Sequence, residues 1–172
     1  MKSVLLGVCC FLSAAVFMPA QSSTKPMTDQ QFVNFAGQTD MVEANLGQLA
    51  QTAASTQAVK DYGQMLIQDH TRDYRQLTNA AGTTNLQVPY SIDAEHNQKL
   101  IDPLEKLKGA AFDRRYIQEM ITGHTKAIEV YKTEAADAKD PQIRSYAEQA
   151  LPVLEKHLAA AKDLENEKTQ AK

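Results

Sequence analysis

Apolar residues recur along most of the chain at steps of three and four, which is the spacing of one face of an α-helix. In the first long segment this face runs through Phe32, Ala36, Thr39 and Glu43. Strand-like alternation is confined to a short stretch at 86–88. The pattern therefore predicts four long helices near 29–53, 56–81, 110–137 and 141–165, with a short helix inside 91–107.

Local residues indicate where these helices begin and end. Thr28 and Gln31 fit a capping box at the start of the first helix. Gly82 suits a left-handed stop after the second helix. Asp140 and Pro141 form a favourable N-cap and first-position pair for the last one.

The four helices form two hairpins joined by one long connector. This grouping predicts an all-α fold, a ferritin-like antiparallel four-helix bundle. The connector is long enough to run the length of the bundle, which favours this arrangement over a simple up-down-up-down order. We expect the bundle domain to cover 29–165, with a flexible segment at 21–28 before it and a frayed tail at 166–172 after it.

The first twenty residues have the features of a secretory signal peptide. Lys2 supplies a positive charge, an apolar run follows at 4–18, and Ala20 is a small residue at a cleavage position. The run is too short and too poorly flanked for a membrane-spanning helix. We therefore expect cleavage near Ala20 and a soluble protein in the periplasm or outside the cell. Cys9 and Cys10 both lie in the removed segment, so the mature chain should lack thiols.

Length and charge narrow the classes of function. The chain has 172 residues and a net charge of −3, and removal of Lys2 makes the mature protein slightly more acidic. About 150 residues are enough for one domain with a real core. Basic residues are not clustered, which argues against nucleic acid or anionic lipid as the main partner.

Each long helix carries an ionisable residue on its apolar face: Glu43, His70, His124 and His157. A buried charge without a partner costs several kcal/mol, so such residues are paired, neutralised or bound to something. Each lies about 14 to 16 residues into its helix, which is ~21 to 24 Å from the helix start. Mid-length positions meet at one level of a bundle, and we expect these four side chains to converge on its axis.

Three imidazoles and a carboxylate are a sufficient set of ligands for zinc, copper or iron. The near-repeat of "MLIQDHT" at 65–71 and "EMITGHT" at 119–125 suggests two halves of one central site. Asp73 or Asp69 could orient an imidazole through a hydrogen bond, although for Asp69 an exposed surface charge is the favoured interpretation. The alternative is that the histidines only form hydrogen bonds within the core. His96 lies among polar residues and is expected to be exposed.

Three segments carry a resemblance to a known family. They begin "FVNFAGQTDMVEANLGQLAQ", "GAAFDRRYIQEMITGHT" and "ALPVLEKHL", and the similarity covers nearly all of 29–165. The chain resembles the secreted bacterial proteins grouped as domain of unknown function 4142. The resemblance implies a ferritin-like four-helix fold and export to the periplasm, and it supplies no activity. The chain matches the family pattern at Glu43, Asp69, His70, Asp113, His124 and His157. This match adds Asp113 to the residues that could support the metal site.

Catalytic alternatives have little support in the sequence. There is no glycine-rich phosphate loop and no serine in a strand-turn-helix setting. The residues three positions before the histidines are Ile67, Ile121 and Leu154, so the Glu-x-x-His pairs of a di-iron centre are missing. We therefore expect a metal-binding protein for metal handling or envelope stress protection. The alternative is a metal-free helical module that acts through protein partners, and an enzyme ranks third.

Overall fold

The computed structural model describes residues 25–170, with side chains up to residue 167. The predicted signal peptide and both cysteines lie outside the described residues. All regular structure within 25–170 is helical, which confirms the all-α class. The helices are α1 (Asp29–Ala53), α2 (Gln57–Gly82), α3 (Ala94–His96), α4 (Asp102–Glu105), α5 (Gly109–Asp137) and α6 (Pro141–Gln170), and a π-helical turn (Asn97–Ile101) joins α3 to α4.

Most of the predicted helix ends are confirmed. Thr28 and Gln31 form the complete capping box at the start of α1. The Asp140 carboxylate accepts a hydrogen bond from the backbone N–H of Gln142 at 2.8 Å. The α6 helix continues to Gln170, beyond the predicted end at 165, because 166–170 contain neither proline nor glycine.

The prediction of a left-handed stop at Gly82 is wrong. Gly109 is the residue with positive φ in the described chain, at 63°, and it begins α5. Gly82 instead closes α2, and Thr83 after it also has right-handed helical backbone angles, with φ −87° and ψ −2°. Since the chain leaves α2 through a further right-handed turn, no left-handed residue is needed there.

The long helices pack as two hairpins, α1 with α2 and α5 with α6, and α2 of one hairpin packs against α6 of the other. Phe32 near the start of α1 contacts Tyr131 near the end of α5. At the other end, Ser55 after α1 contacts Asp113 near the start of α5. These contacts make α1 and α5 antiparallel, and the contacts between α2 and α6 run in the same antiparallel sense.

The connector between α2 and α5 follows α1. Hydrogen bonds join the side chain of Gln30 to the backbone of Gln87, and that of Gln38 to the backbone of Ser91. Further along, Leu104 is buried in the apolar cluster at the far end of the helices. The connector thus carries the chain from one end of the helices to the other.

Two apolar cores fill the two ends, and polar residues separate them. One core contains Phe32, Leu77 and Tyr131, and the other contains Leu66 and Tyr116. On α2, α5 and α6 the change from one core to the other occurs at His70, His124 and His157, and on α1 it occurs next to Asp40. One layer at mid-length, here named the polar layer, therefore contains Asp40, Glu43, Asp69, His70, Asp73, His124 and His157. Two other buried carboxyl groups, those of Asp113 and Glu134, lie nearer the ends of the helices.

No helix within the described range 25–170 has the length and apolar character needed to cross a membrane.

The two helices of the first hairpin approach most closely at Gly47 and Gly63. A Cβ atom at Gly47 would lie 2.6 Å from the backbone oxygen of Gly63, so the backbones themselves are in contact. We expect Gly47→Ala to destabilise the fold by ~1–3 kcal/mol, because the helices must move apart. Gly82→Ala is the matched control, since its Cβ would meet nothing within 4 Å, and it should stabilise by ~0.5–1 kcal/mol. Urea denaturation measures both, and equal stabilisation by the two variants contradicts the close approach.

Candidate metal centre

Three histidines from three helices meet in the polar layer: His70 of α2, His124 of α5 and His157 of α6. All three are buried, with at most 2% of the residue exposed. One ring nitrogen of each histidine can serve as a metal ligand, and these three nitrogens lie within 4.8 Å of one another. The structure thus brings together, as one triad, the three histidines that the spacing of apolar residues placed at mid-length.

The nitrogen of each ring that points away from the triad has a fixed oxygen partner. Nδ1 of His70 lies 2.9 Å from Oδ1 of Asp40, and Nε2 of His157 lies 2.9 Å from Oδ2 of Asp69. Nδ1 of His124 lies 2.9 Å from the backbone oxygen of Met120. A backbone carbonyl and an ionised carboxylate can only accept, and Oδ1 of Asp40 also accepts when Oδ2 carries the proton of that carboxyl group. With these acceptors, the outer nitrogens carry the protons and donate.

The inner nitrogens are therefore left with lone pairs. Nε2 of His124 and Nδ1 of His157 face each other at 3.2 Å. Nε2 of His70 has no hydrogen-bond partner among residues 25–170. Two lone pairs cannot form a hydrogen bond, so the short contact between His124 and His157 is satisfied only by something that accepts electron pairs.

An additional proton between the two rings is disfavoured by burial. Burial, followed by the charge of His157, lowers the pKa of His124 to about 4. Burial and the other two imidazoles hold the pKa of His70 well below its usual value. Burial also lowers the pKa of His157, against the effect of Asp69. All three rings are therefore neutral near pH 7, which is the form that coordinates a metal ion.

The donor set fits a transition-metal ion. Bonds from imidazole nitrogen to zinc are ~2.0–2.1 Å, so two nitrogens on one ion lie at most ~4.2 Å apart. The 3.2 Å between His124 and His157 falls within this limit. Small side-chain shifts would bring the third nitrogen onto the same ion, with His70, His124 and His157 as ligands.

Comparisons with known proteins agree with the sequence resemblance. Residues 15–164 match the family described as "Domain of unknown function (DUF4142)". The chain belongs to this family. No curated protein matches it at a significant level.

Three solved structures of a protein named CopM share the fold. The Ag-bound form is 18% identical with a TM-score of 0.64, and the match covers 80% of this chain and 94% of that one. The Cu(I)-bound form is 16% identical with a TM-score of 0.63 and the same two coverages. The Cu(II)-bound form is 17% identical with a TM-score of 0.67, covering 81% and 96%. At these identities the similarity shows the fold alone.

Asp40 is a supporting residue that the sequence reasoning missed. It is 1% exposed, whereas Thr39, which the pattern placed on the buried face, is half-buried. Burial and the neighbouring Asp73 raise the pKa of Asp40 well above its usual value. Asp40 follows Ala36 by four residues and precedes Glu43 by three, and this helical spacing could have placed it on the buried face of α1.

Asp69 and Asp73 both belong to the polar layer. The expectation that Asp69 is an exposed surface charge is wrong, because Asp69 is 9% exposed and accepts the hydrogen bond from His157. Burial raises the pKa of Asp69, but His157 and Arg72 outweigh this effect and lower it overall. Asp73 accepts a hydrogen bond from the hydroxyl of Tyr146 at 2.8 Å, and its charge contributes to the raised pKa of Asp40.

Asp113 serves another part of the fold. Its carboxylate accepts hydrogen bonds from the backbone N–H and the hydroxyl of Ser55, at 3.0 and 2.6 Å, and so fixes the turn between α1 and α2. Asp113 precedes His124 by 11 residues on α5, or ~16 Å along the helix axis. The structure therefore does not place it in support of the triad.

Glu43, predicted as a fourth ligand, lies beside the triad and is not grouped with its inner nitrogens. Oε1 of Glu43 is 3.9 Å from Nδ1 of His124, the nitrogen that points outward. Oε2 has no hydrogen-bond partner in the described chain. Burial, followed by the charge of Glu119, raises the pKa of Glu43 to about 8.

His96 stays apart from the triad. It lies on the connector, half-buried, with Nδ1 2.8 Å from the carboxylate of Asp93. It is therefore a suitable control residue for experiments on the buried histidines.

The raised pKa of Glu43 predicts a pH-dependent effect of Glu43→Gln on the metal-free protein. The folded pKa of about 8 exceeds the ordinary value of 4.5. The stability contributed by protonated Glu43 is therefore present below pH ~4.5 and is lost as the pH rises toward ~8. Relative to wild type, Glu43→Gln should gain at least ~1 kcal/mol between pH 5 and 8.

Urea denaturation with a chelator present, repeated across this pH range, measures that difference. Glu148→Gln is the control, because Glu148 is exposed on α6 and should show no such trend. A difference between Glu43→Gln and wild type that is constant from pH 5 to 8 would show that Glu43 is ionised in the folded protein.

Proposed function

We propose that this protein binds one transition-metal ion through His70, His124 and His157, and that copper is the ion. The observation that carries the proposal is the set of outward hydrogen bonds, which leaves one lone pair on each ring, on nitrogens that lie close together. Metal-bound histidines characteristically donate their other N–H to a carboxylate or a backbone carbonyl. All three rings of the triad have such a partner.

Two further observations support copper within the set of zinc, copper and iron. Imidazole suits all three metals, and at a given nitrogen site copper(II) binds most tightly of the divalent first-row ions. The fold is shared with CopM, which has been solved with Ag, Cu(I) and Cu(II) bound. The missing Glu-x-x-His pairs continue to argue against a di-iron centre.

The residues around the triad would prepare it for the ion. Asp40 and Asp69 hold His70 and His157 in the tautomers that expose the inner nitrogens, and the oxygen of Met120 does the same for His124. Loss of such a partner typically lowers metal affinity by ~10–100-fold. Glu43 would act at the outward side of His124 and not as a ligand in the present arrangement.

The proposed role is metal handling or protection from metal stress in the bacterial envelope. A ligand set that is buried on all sides favours holding an ion over turning over a substrate, since catalytic metals keep a position open. We propose a ferritin-like connectivity, supported by the antiparallel pairs and by the connector that follows α1. Export through the signal peptide at 1–20 is part of the same proposal.

Metal binding should stabilise the fold through these histidines and not through His96. An ion at a hundredfold excess over its dissociation constant adds ~2.7 kcal/mol to the free energy of unfolding. We expect copper to raise the Tm of wild type and of His96→Ala, and to leave the Tm of His124→Ala unchanged. Calorimetry of untagged protein with copper, and with zinc in parallel, makes the comparison. An equal metal-induced shift in His124→Ala and wild type contradicts the proposed site.

A further inference from the structure

A pocket with a volume of about 200 Å³ opens between α1, α5 and the connector, and none of the three triad histidines lines it. Most of its wall is apolar. Phe35, Val42 and Leu46 contribute from α1, Leu100 from the π-helical turn, and Met120 from α5. Such a wall is typical of sites for small organic molecules, and the volume falls below the ~300 Å³ at which drug-sized pockets begin.

Two carboxyl groups enter this pocket from opposite walls. Glu43 comes from α1 and is 6% exposed, and its Oε2 has no hydrogen-bond partner in the described chain. Glu119 comes from α5, where Arg115 forms an ion pair with it one turn away. A buried polar atom without a partner is costly in a folded protein. A ligand that donates a hydrogen bond to Glu43 removes that cost.

Gly123 keeps the floor of the pocket open. It lies in the interior of α5, where glycine is a poor helix former. A Cβ atom at this position would lie 3.4 Å from Oε1 of Glu43, so a longer side chain would project into the space beside the carboxyl group. The absence of a side chain at 123 thus gives a ligand access to Glu43.

We propose that this pocket binds a small organic ammonium ion, with its nitrogen at Glu43 and Glu119 and its apolar body against the Phe35 wall. A neutral apolar molecule leaves the carboxyl group of Glu43 without a partner. A bare metal ion would not contact the apolar wall. An anion would be placed next to two carboxyl groups, which disfavours its binding. The other ionisable side chains of the lining are Lys126, which is exposed, and His96, which is half-buried. Glu119 therefore supplies the negative charge, and the buried carboxyl group of Glu43 supplies a hydrogen-bond acceptor.

The test uses labelled protein with a chelator present, so that it does not depend on the metal site. Amide NMR shifts are followed during titration with 2-phenylethylammonium to ~10 mM, a range that covers affinities near 1 mM. The matched probes are neutral 2-phenylethanol and anionic 3-phenylpropionate. We expect saturable shifts at Gly123 and Thr39, with the ammonium ion binding at least tenfold more tightly than either probe. No saturation, or equal binding of the alcohol, overturns the proposal.

Two variants of pocket residues, each with a matched control variant, locate the site. Glu119→Gln should weaken ammonium binding at least fivefold, while Glu148→Gln, at an exposed carboxylate of α6, should leave it unchanged. Gly123→Leu should abolish binding, and Thr125→Leu, at an exposed position of the same helix, should retain it. If Gly123→Leu fails to fold, as judged by circular dichroism, Glu119→Gln decides alone. Wild-type affinity in Glu119→Gln contradicts the proposed site.

Discussion

The polar layer depends on one constraint: each buried imidazole must place its N–H on an acceptor where no solvent reaches. Asp40 of α1 meets this need for His70 of α2, and Asp69 of α2 meets it for His157 of α6. His124 uses the backbone of its own helix. These hydrogen bonds tie α1 to α2 and α2 to α6 at one level, and the two apolar cores are built on either side of that level.

The same constraint lowers the stability of the folded protein when no metal ion is bound to the polar layer. The outward hydrogen bonds leave one lone pair on each ring, on nitrogens that lie close together, and burial keeps the imidazoles neutral, so that protons do not relieve the contact. Glu43 and Asp40 add buried carboxyl groups whose pKa values are raised. Apolar residues of similar volume would fill this space without the free-energy cost of removing polar groups from water. A layer that sacrifices stability in this way is typical of a site preorganised for a ligand.

The sequence predicted the helices and the level of the histidines, because both follow from the helical period. His70, His124 and His157 lie at mid-length in any bundle built from these ranges. The partners were harder to predict, because they depend on rotation about each helix axis. The predicted buried face of α1 was off by one residue, so that it included Thr39 where the structure buries Asp40. A similar error assigned Asp69 to the exposed face of α2. The assignment of Asp113 failed because matching a family pattern indicates that a residue matters and not where it acts.

The histidine tautomers of the metal-free protein decide whether the inner nitrogens of the triad are free to bind a metal ion. Long-range proton–nitrogen NMR correlations distinguish protonated from unprotonated ring nitrogens. At pH 7 we expect His70 and His124 to carry the proton on Nδ1 and His157 to carry it on Nε2, so that all three inner nitrogens are unprotonated. Protonation of Nε2 of His124, giving an ordinary hydrogen bond to His157, would contradict this expectation, because the layer would then satisfy itself without a metal ion.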